Sequence, residues 1–184
     1  MTERRDADVK GVVDPTLTFT VAGASGSCNG EAQSMGADST ASTVNSGAVD
    51  QVAFKTAAQN LTVGSNAANG WSVFVRASAP MTSNTGHAIA SVPGTNAIPA
   101  GFPALGSEGF GYTTSDLSLS DGTADRFFSG SARWAAFAAG NEVIADENEP
   151  TSSTTCVGYR MGVSPTTPAG AYSTQITYTV VPRF

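Results

Sequence analysis

Two stretches near the ends of the chain alternate strictly between apolar and hydroxyl-bearing residues. In the first, Leu17, Phe19 and Val21 interleave with Thr16, Thr18 and Thr20, bounded by Pro15 and Gly23. In the second, Tyr172, Thr174, Ile176, Tyr178 and Val180 fall on one face, with Ser173, Gln175, Thr177 and Thr179 on the other. A period of two predicts strands with one buried face. Weaker alternation predicts further strands at about residues 59–65, 71–77, 110–114 and 156–163. Between 59–65 and 71–77 stands Asn69-Gly70, a pair that tolerates the positive φ of tight turns and so predicts a hairpin. The sequence "SPTTPAG" predicts a turn from 156–163 back into the closing strand.

The intervening segments carry less pattern. Residues 23–48 are small and polar and read as loops with one short strand. Proline breaks make 79–109 a surface excursion. "SARWAAFAAGNEVIA" fits a short helix or a strand, and "ADENEPTSST" reads as an acidic loop. Short strands separated by turn signals predict an all-β fold, a single β-sandwich of the Ig-like or jelly-roll kind. Residues 1–22 form an extended N-terminal arm and candidate donor strand, and 23–184 the sandwich domain. The charge-rich opening "MTERRDADVKG" has no apolar period and predicts no structure when isolated.

Composition sharpens this picture. With 22 Thr, 21 Ser and 20 Gly but only 13% charged residues, the sandwich presents neutral hydroxyl-rich faces. Nine basic residues and a net charge of −6 supply no basic stripe for nucleic acid. No run is apolar enough for a transmembrane helix. The charged start lacks the apolar core of a signal peptide. The Lys-poor, Ser/Thr-rich composition nevertheless suits an exported mature chain whose leader has been removed, with intracellular residence as the alternative. Cys28 and Cys156 make an even count, and an exported chain would join them in a disulfide.

Catalytic chemistry finds little footing. His87 is the sole histidine, and no nucleophile elbow or phosphate-binding motif accompanies it. The carboxylates Glu108, Asp116, Asp121, Asp125 and Glu142 lie in loop-like sequence, where solvation is the plain reading. No cofactor is expected. Calcium is the one metal with a weak case, through Asp121, Asp125, Asp146 and Glu149, hard oxygen donors in acidic turns without EF-hand spacing. Trp71, Trp134, Tyr112 and Tyr172 would stack on sugar rings if they lined one exposed face.

"PAGAYSTQITYTV" resembles the closing strand of bacterial pilin and spore-coat-U-type surface domains. "LTVGSNAANGWSVFV" is similar to a hairpin of bacterial surface β-domains. The resemblance covers under a fifth of the chain. It implies an Ig-like sandwich, export to the cell surface and assembly into extracellular fibres, with no catalytic residues. Strand addition supplies a physical route, because an extended segment can pair with a neighbour's open sheet edge. The donor side chains would be Val13, Leu17, Phe19 and Val21, and the acceptor edge Tyr172, Ile176, Tyr178 and Val180. Pairing of residues 16–22 within their own sandwich is the competing expectation. The leading expectation is a structural homopolymer subunit; the alternative is a monomeric secreted module binding carbohydrate or a surface.

Overall fold

The structure is a computed structural model that describes residue 8, residues 10–34 and residues 37–184. Residues 1–7 and 9 of the expected arm lie outside the described residues. The strands are β1 (Leu17–Gly23), β2 (Ser27–Cys28), β3 (Glu31–Ala32), β4 (Asp38–Ser39), β5 (Val44–Asn45), β6 (Lys55–Ser65) and β7 (Trp71–Ala77). They continue with β8 (Thr82–Ser83), β9 (Gly109–Thr114), β10 (Glu142–Glu147), β11 (Thr151–Gly162), β12 (Tyr172–Ser173) and β13 (Ile176–Pro182). The fold is all-β, and no helix occurs among the described residues.

A four-stranded antiparallel sheet runs β1-β6-β11-β9, and a three-stranded one runs β10-β7-β13. Leu61, Val63, Val157 and Tyr159 of the first share one buried cluster with Trp71, Val73, Val75 and Ile144 of the second. The two sheets therefore cover each other's apolar faces, the arrangement of a β-sandwich. Burying each Val, Leu or Ile here contributes about 1.5–3 kcal/mol, which ordinary surface alternation could not supply.

The predicted hairpin does not form. β6 and β7 belong to different sheets, so Asn66–Gly70 is an arch over the end of the core. Gly70 does need its positive φ of 75°, and a Cβ there would overlap the Glu147 carbonyl. The Asn-Gly signal thus reported local backbone geometry correctly and strand pairing wrongly. The same holds for "SPTTPAG", since β11 and β13 also lie in opposite sheets. β10 and β11, joined by only three residues, do likewise.

Two further expectations need correction. Part of the "acidic loop" is strand β10, whose register with β7 is interrupted between Val143 and Ala145. Asp146 is 3% exposed because its carboxylate accepts the Ser120 N–H (3.1 Å) and hydroxyl. The segment around Trp134 is neither helix nor named strand. It runs beside β9, where Tyr112 and Ala135 exchange main-chain bonds of 2.9 Å each. Its alanines suit tight passage, since the Ala135 carbonyl lies where a Cβ on Gly111 would be.

Cys28 and Cys156 form a disulfide spanning 128 positions. It fastens β2, a few residues past β1, to the strand β11 inside the larger sheet. Such a bond suits an oxidising, non-cytoplasmic compartment. Among the described residues no helix is long and apolar enough to cross a membrane.

Candidate functional site

The sandwich has two lateral sides, and they are finished differently. On one, β9 and β10 are closed off. Phe110 N–H donates to Ala90 O (2.9 Å), Val92 N–H to Phe110 O (3.1 Å), and Tyr112 pairs with Ala135. The outward carbonyls of β10 take side-chain donors instead: Val143 O from Asn96 Nδ2 (2.9 Å) and Ile144 O from Thr114 Oγ1 (2.7 Å). Asp146 N–H donates to Asp116 Oδ2 (2.9 Å). Behind them Arg126, its side chain 4% exposed, donates to Asn96 O, Asn96 Oδ1 and Asp121 Oδ1 at 2.6–2.7 Å.

On the other side stand β1 and β13, each paired with one strand only. Ser78 N–H donates to Gln175 O (2.9 Å) and Arg183 N–H to Gly70 O (2.8 Å). Bonded residues alternate along an antiparallel pair. In the register Ile176↔Ala77 to Pro182↔Trp71, the odd-numbered residues of β13 therefore bond to β7. The main chains of Ile176, Tyr178 and Val180 point away, and among the described residues none bonds them. Pro182, which has no N–H to offer, is at home on such an edge. For β1, Ala24 N–H donates to Ala58 O (3.0 Å), so the even-numbered residues bond to β6. Among the described residues nothing bonds the main chains of Leu17, Phe19 and Val21.

These six residues were picked out by the sequence for their side chains. Of them, Phe19, Val21, Ile176, Tyr178 and Val180 pack against the core, while Leu17 is 39% exposed. Position for position, β1 pairs within its own chain, Leu17 opposite Ser65 through Gly23 opposite Gln59. Val13, upstream of the strand, is 85% exposed, and its neighbour Val12 93%. Tyr172 lies apart from the β13 edge, on the two-residue strand that pairs with β8.

Beneath the open side the sheets are joined by a polar contact. Tyr159 Oη donates to Gln59 Oε1 (2.9 Å) and also meets the Tyr178 hydroxyl. Burial pushes both phenols well above their ordinary range, so they stay neutral bond-formers. Gln59 in turn donates through Nε2 to Thr40 O (2.6 Å), holding the β4–β5 hairpin over the gap.

Where β6 begins, this open side runs into a groove that the sequence pattern did not reveal. It measures about 710 Å³ and lies between segments 44–51 and 163–172. Val44, Val49, Met81, Met161, Val163 and Tyr172 line it, with Asp50 the only charged lining residue among the described residues. A cleft of about 360 Å³ shares Val44, Met81 and Tyr172 with it and continues to Ile176 and Tyr178. Both loops lie far apart in sequence and lack periodicity, so no signal joined them.

A clasp anchors one wall of the groove. Glu108 accepts from Thr167 Oγ1 (2.6 Å) and the Ala90 N–H (3.2 Å), and pairs with His87 Nε2 (2.8 Å). Burial works to raise the Glu108 carboxyl, but these bonds and the His87 charge outweigh it and hold the group below its ordinary range. The His87 ring is thus bound to an acid, while the Ser83 hydroxyl accepts from the His87 main-chain N–H (3.1 Å) and not from the imidazole.

The calcium candidates are not gathered. Asp121 pairs with Arg126, Asp146 with Ser120 and, at 3.7 Å, Arg183. No group of three or more His, Cys, Asp or Glu side chains suited to a metal ion occurs among the described residues. Trp71, Trp134 and Tyr112 are each at most 1% exposed, so they form no sugar platform. Compared with known proteins, the chain matches no family model, and no curated protein matches it.

Proposed function

We propose that the protein is a structural, non-enzymatic subunit of an extracellular filament, assembling head-to-tail by addition of the N-terminal segment of one copy to a neighbour. The observation that carries this reading is the edge of β13. Ile176, Tyr178 and Val180 turn unbonded main-chain groups toward a side on which no described strand pairs with them, the β4–β5 hairpin lying across a cleft from this edge. An edge of this kind is a template for an incoming strand. Its Thr and Val residues carry none of the charges that ordinarily guard it; Arg183 is the nearest, beyond Pro182. The N-terminal segment is the natural partner, because Val12 and Val13 are apolar yet find no cover in their own copy. A contact between two different surfaces of identical copies propagates unless its rotation closes a ring. A glycan-binding module is disfavoured by the burial of Trp71, Trp134 and Tyr112, three of the four candidate stacking residues.

Electron microscopy of the full chain and of a truncation lacking residues 1–16 tests the reading. Truncation at 16 leaves β1 and its core contacts in place. Filaments from the full chain that vanish on truncation are expected. A full chain that stays monomeric at high concentration, or filaments indifferent to the truncation, would sink it.

A further inference from the structure

β1 gives the molecule two distinguishable ends. It begins at Leu17 opposite Ser65, where Asn66 holds the incoming chain through Thr16 N–H (2.7 Å) and Asp14 O (2.8 Å). The groove sits at the other end, where Met161 pairs with Lys55 at the start of β6. Val12 and Val13 therefore project from the pole opposite the groove. They cannot fold back into it. Five residues from Leu17 to Val12 reach about 17 Å when fully extended. The stretch of β6 from Ser65 to Lys55 alone covers about 33 Å.

We infer that the groove between segments 44–51 and 163–172 is the seat for Val12 and Val13 of a second copy, docked pole to pole. This rests on the self-assembly reading above and adds where the copies meet. The chemistry of the two surfaces matches. One pole offers a pair of uncovered valines following Lys10, whose side chain is 85% exposed and pairs at the surface with Asp8 (3.2 Å). The other offers a groove with valine, methionine, proline and alanine walls and one anion, Asp50. Lys10 lies two residues before Val12, close enough to reach an anion at the mouth of a groove holding the valine. The groove continues into the cleft beside Ile176 and Tyr178, so the seat for the valines adjoins the free edge of β13.

Two variants and their mixture test the contact. Val12→Asp with Val13→Asp spoils the projecting pole and leaves the groove. Ala171→Trp obstructs the groove and leaves the projecting pole. All three positions are exposed, and near-ultraviolet circular dichroism confirms that each variant is folded. Sedimentation of each variant alone should show self-association weakened by roughly tenfold or more, the value of one lost apolar side-chain contact. Mixed together, the intact pole of one variant meets the intact groove of the other. Dimers of one copy each, with no longer chains, are the expected product. Association of either variant that equals the wild type, or a mixture that stays monomeric, overturns the inference while wild-type filaments preserve the assembly reading. A wild-type chain that never associates overturns both.

Discussion

The two sides of the sandwich solve the same problem in opposite ways. Any sheet that ends must dispose of a row of N–H and C=O groups, because leaving one buried and unbonded costs about 1–3 kcal/mol. Around β9 and β10, Asn96, Thr114, Asp116 and the passing chain at 90–92 and 134–136 supply the missing partners. Beside β1 and β13 no such partners are provided among the described residues. The sealed side finds internal partners for its edge main chain, although Arg126 Nη1 behind it is buried without one. The open side leaves its outward main-chain groups without a protein partner among the described residues, and on the proposed reading these are the groups a second copy would meet. The contrast places the internal bonds on one side of the domain and the proposed assembly edge on the other.

The strongest way to break the contrast is at Arg126 on the sealed side. Arg126→Met leaves Asp121 without its cation and Asn96 without two donors. A loss of about 2 kcal/mol is expected, because the two buried Asn96 oxygens lose charged donors while Asp121, 37% exposed, is free to be solvated. Urea denaturation measures it, and a midpoint unchanged from wild type would show that the sealed side is not held by this network.

A smaller, pH-dependent effect is expected at Glu142. Burial raises its carboxyl above the ordinary range, against the Tyr112 hydroxyl bond at 3.2 Å; the nearby Asp121 charge raises it further. A carboxyl whose folded pKa is raised contributes stability that is fully present below the unfolded pKa. That contribution is lost as pH rises through the folded value. At neutral pH the charged form is therefore a liability, and Glu142→Gln should raise the melting temperature. The gain should shrink as pH falls through the ordinary carboxylate range. A gain that grows in acid would reverse the assigned sign.

The smallest expected effect on stability is on the open side. Thr179 is exposed, and its main chain bonds to β7. Thr179→Lys should change stability by no more than about 0.5 kcal/mol, the usual range for a surface position. Assembly, measured by light scattering, should nonetheless fall, because a charge guards the edge. A stability loss as large as that of Arg126→Met would erase the distinction between the two sides.

How much of this was legible beforehand varies by region. The alternation of Leu17, Phe19 and Val21, and of Ile176, Tyr178 and Val180, marked two strands and the face each turns inward. The disulfide was legible from the presence of two cysteines, Cys28 and Cys156, in a chain read as exported. The pairing of strands was not legible. Asn66–Gly70, residues 148–150 and residues 163–175 look like hairpin or surface turns, yet each passes between sheets. A turn fixes the path of a few residues, whereas pairing depends on which remote strand completes the sheet. β10 was half legible: residues 142–145 fell in a segment that fits a helix or a strand, while its end was read as loop because Asp146 is polar in sequence and buried in space, through a bond to Ser120 twenty-six positions away. The groove was missed for the same reason, its walls coming from segments more than a hundred positions apart.

By itself, then, the sequence determined the all-β character, the buried faces of the terminal strands and the charge-poor hydroxyl surface. Those properties follow from side-chain period and composition, which are local. Tertiary structure alone decided that β1 pairs with β6, that β13 ends a sheet, and that the exposed valines and the groove occupy opposite poles. An edge exists only by virtue of what is not beside it, and that depends on where every other strand has gone.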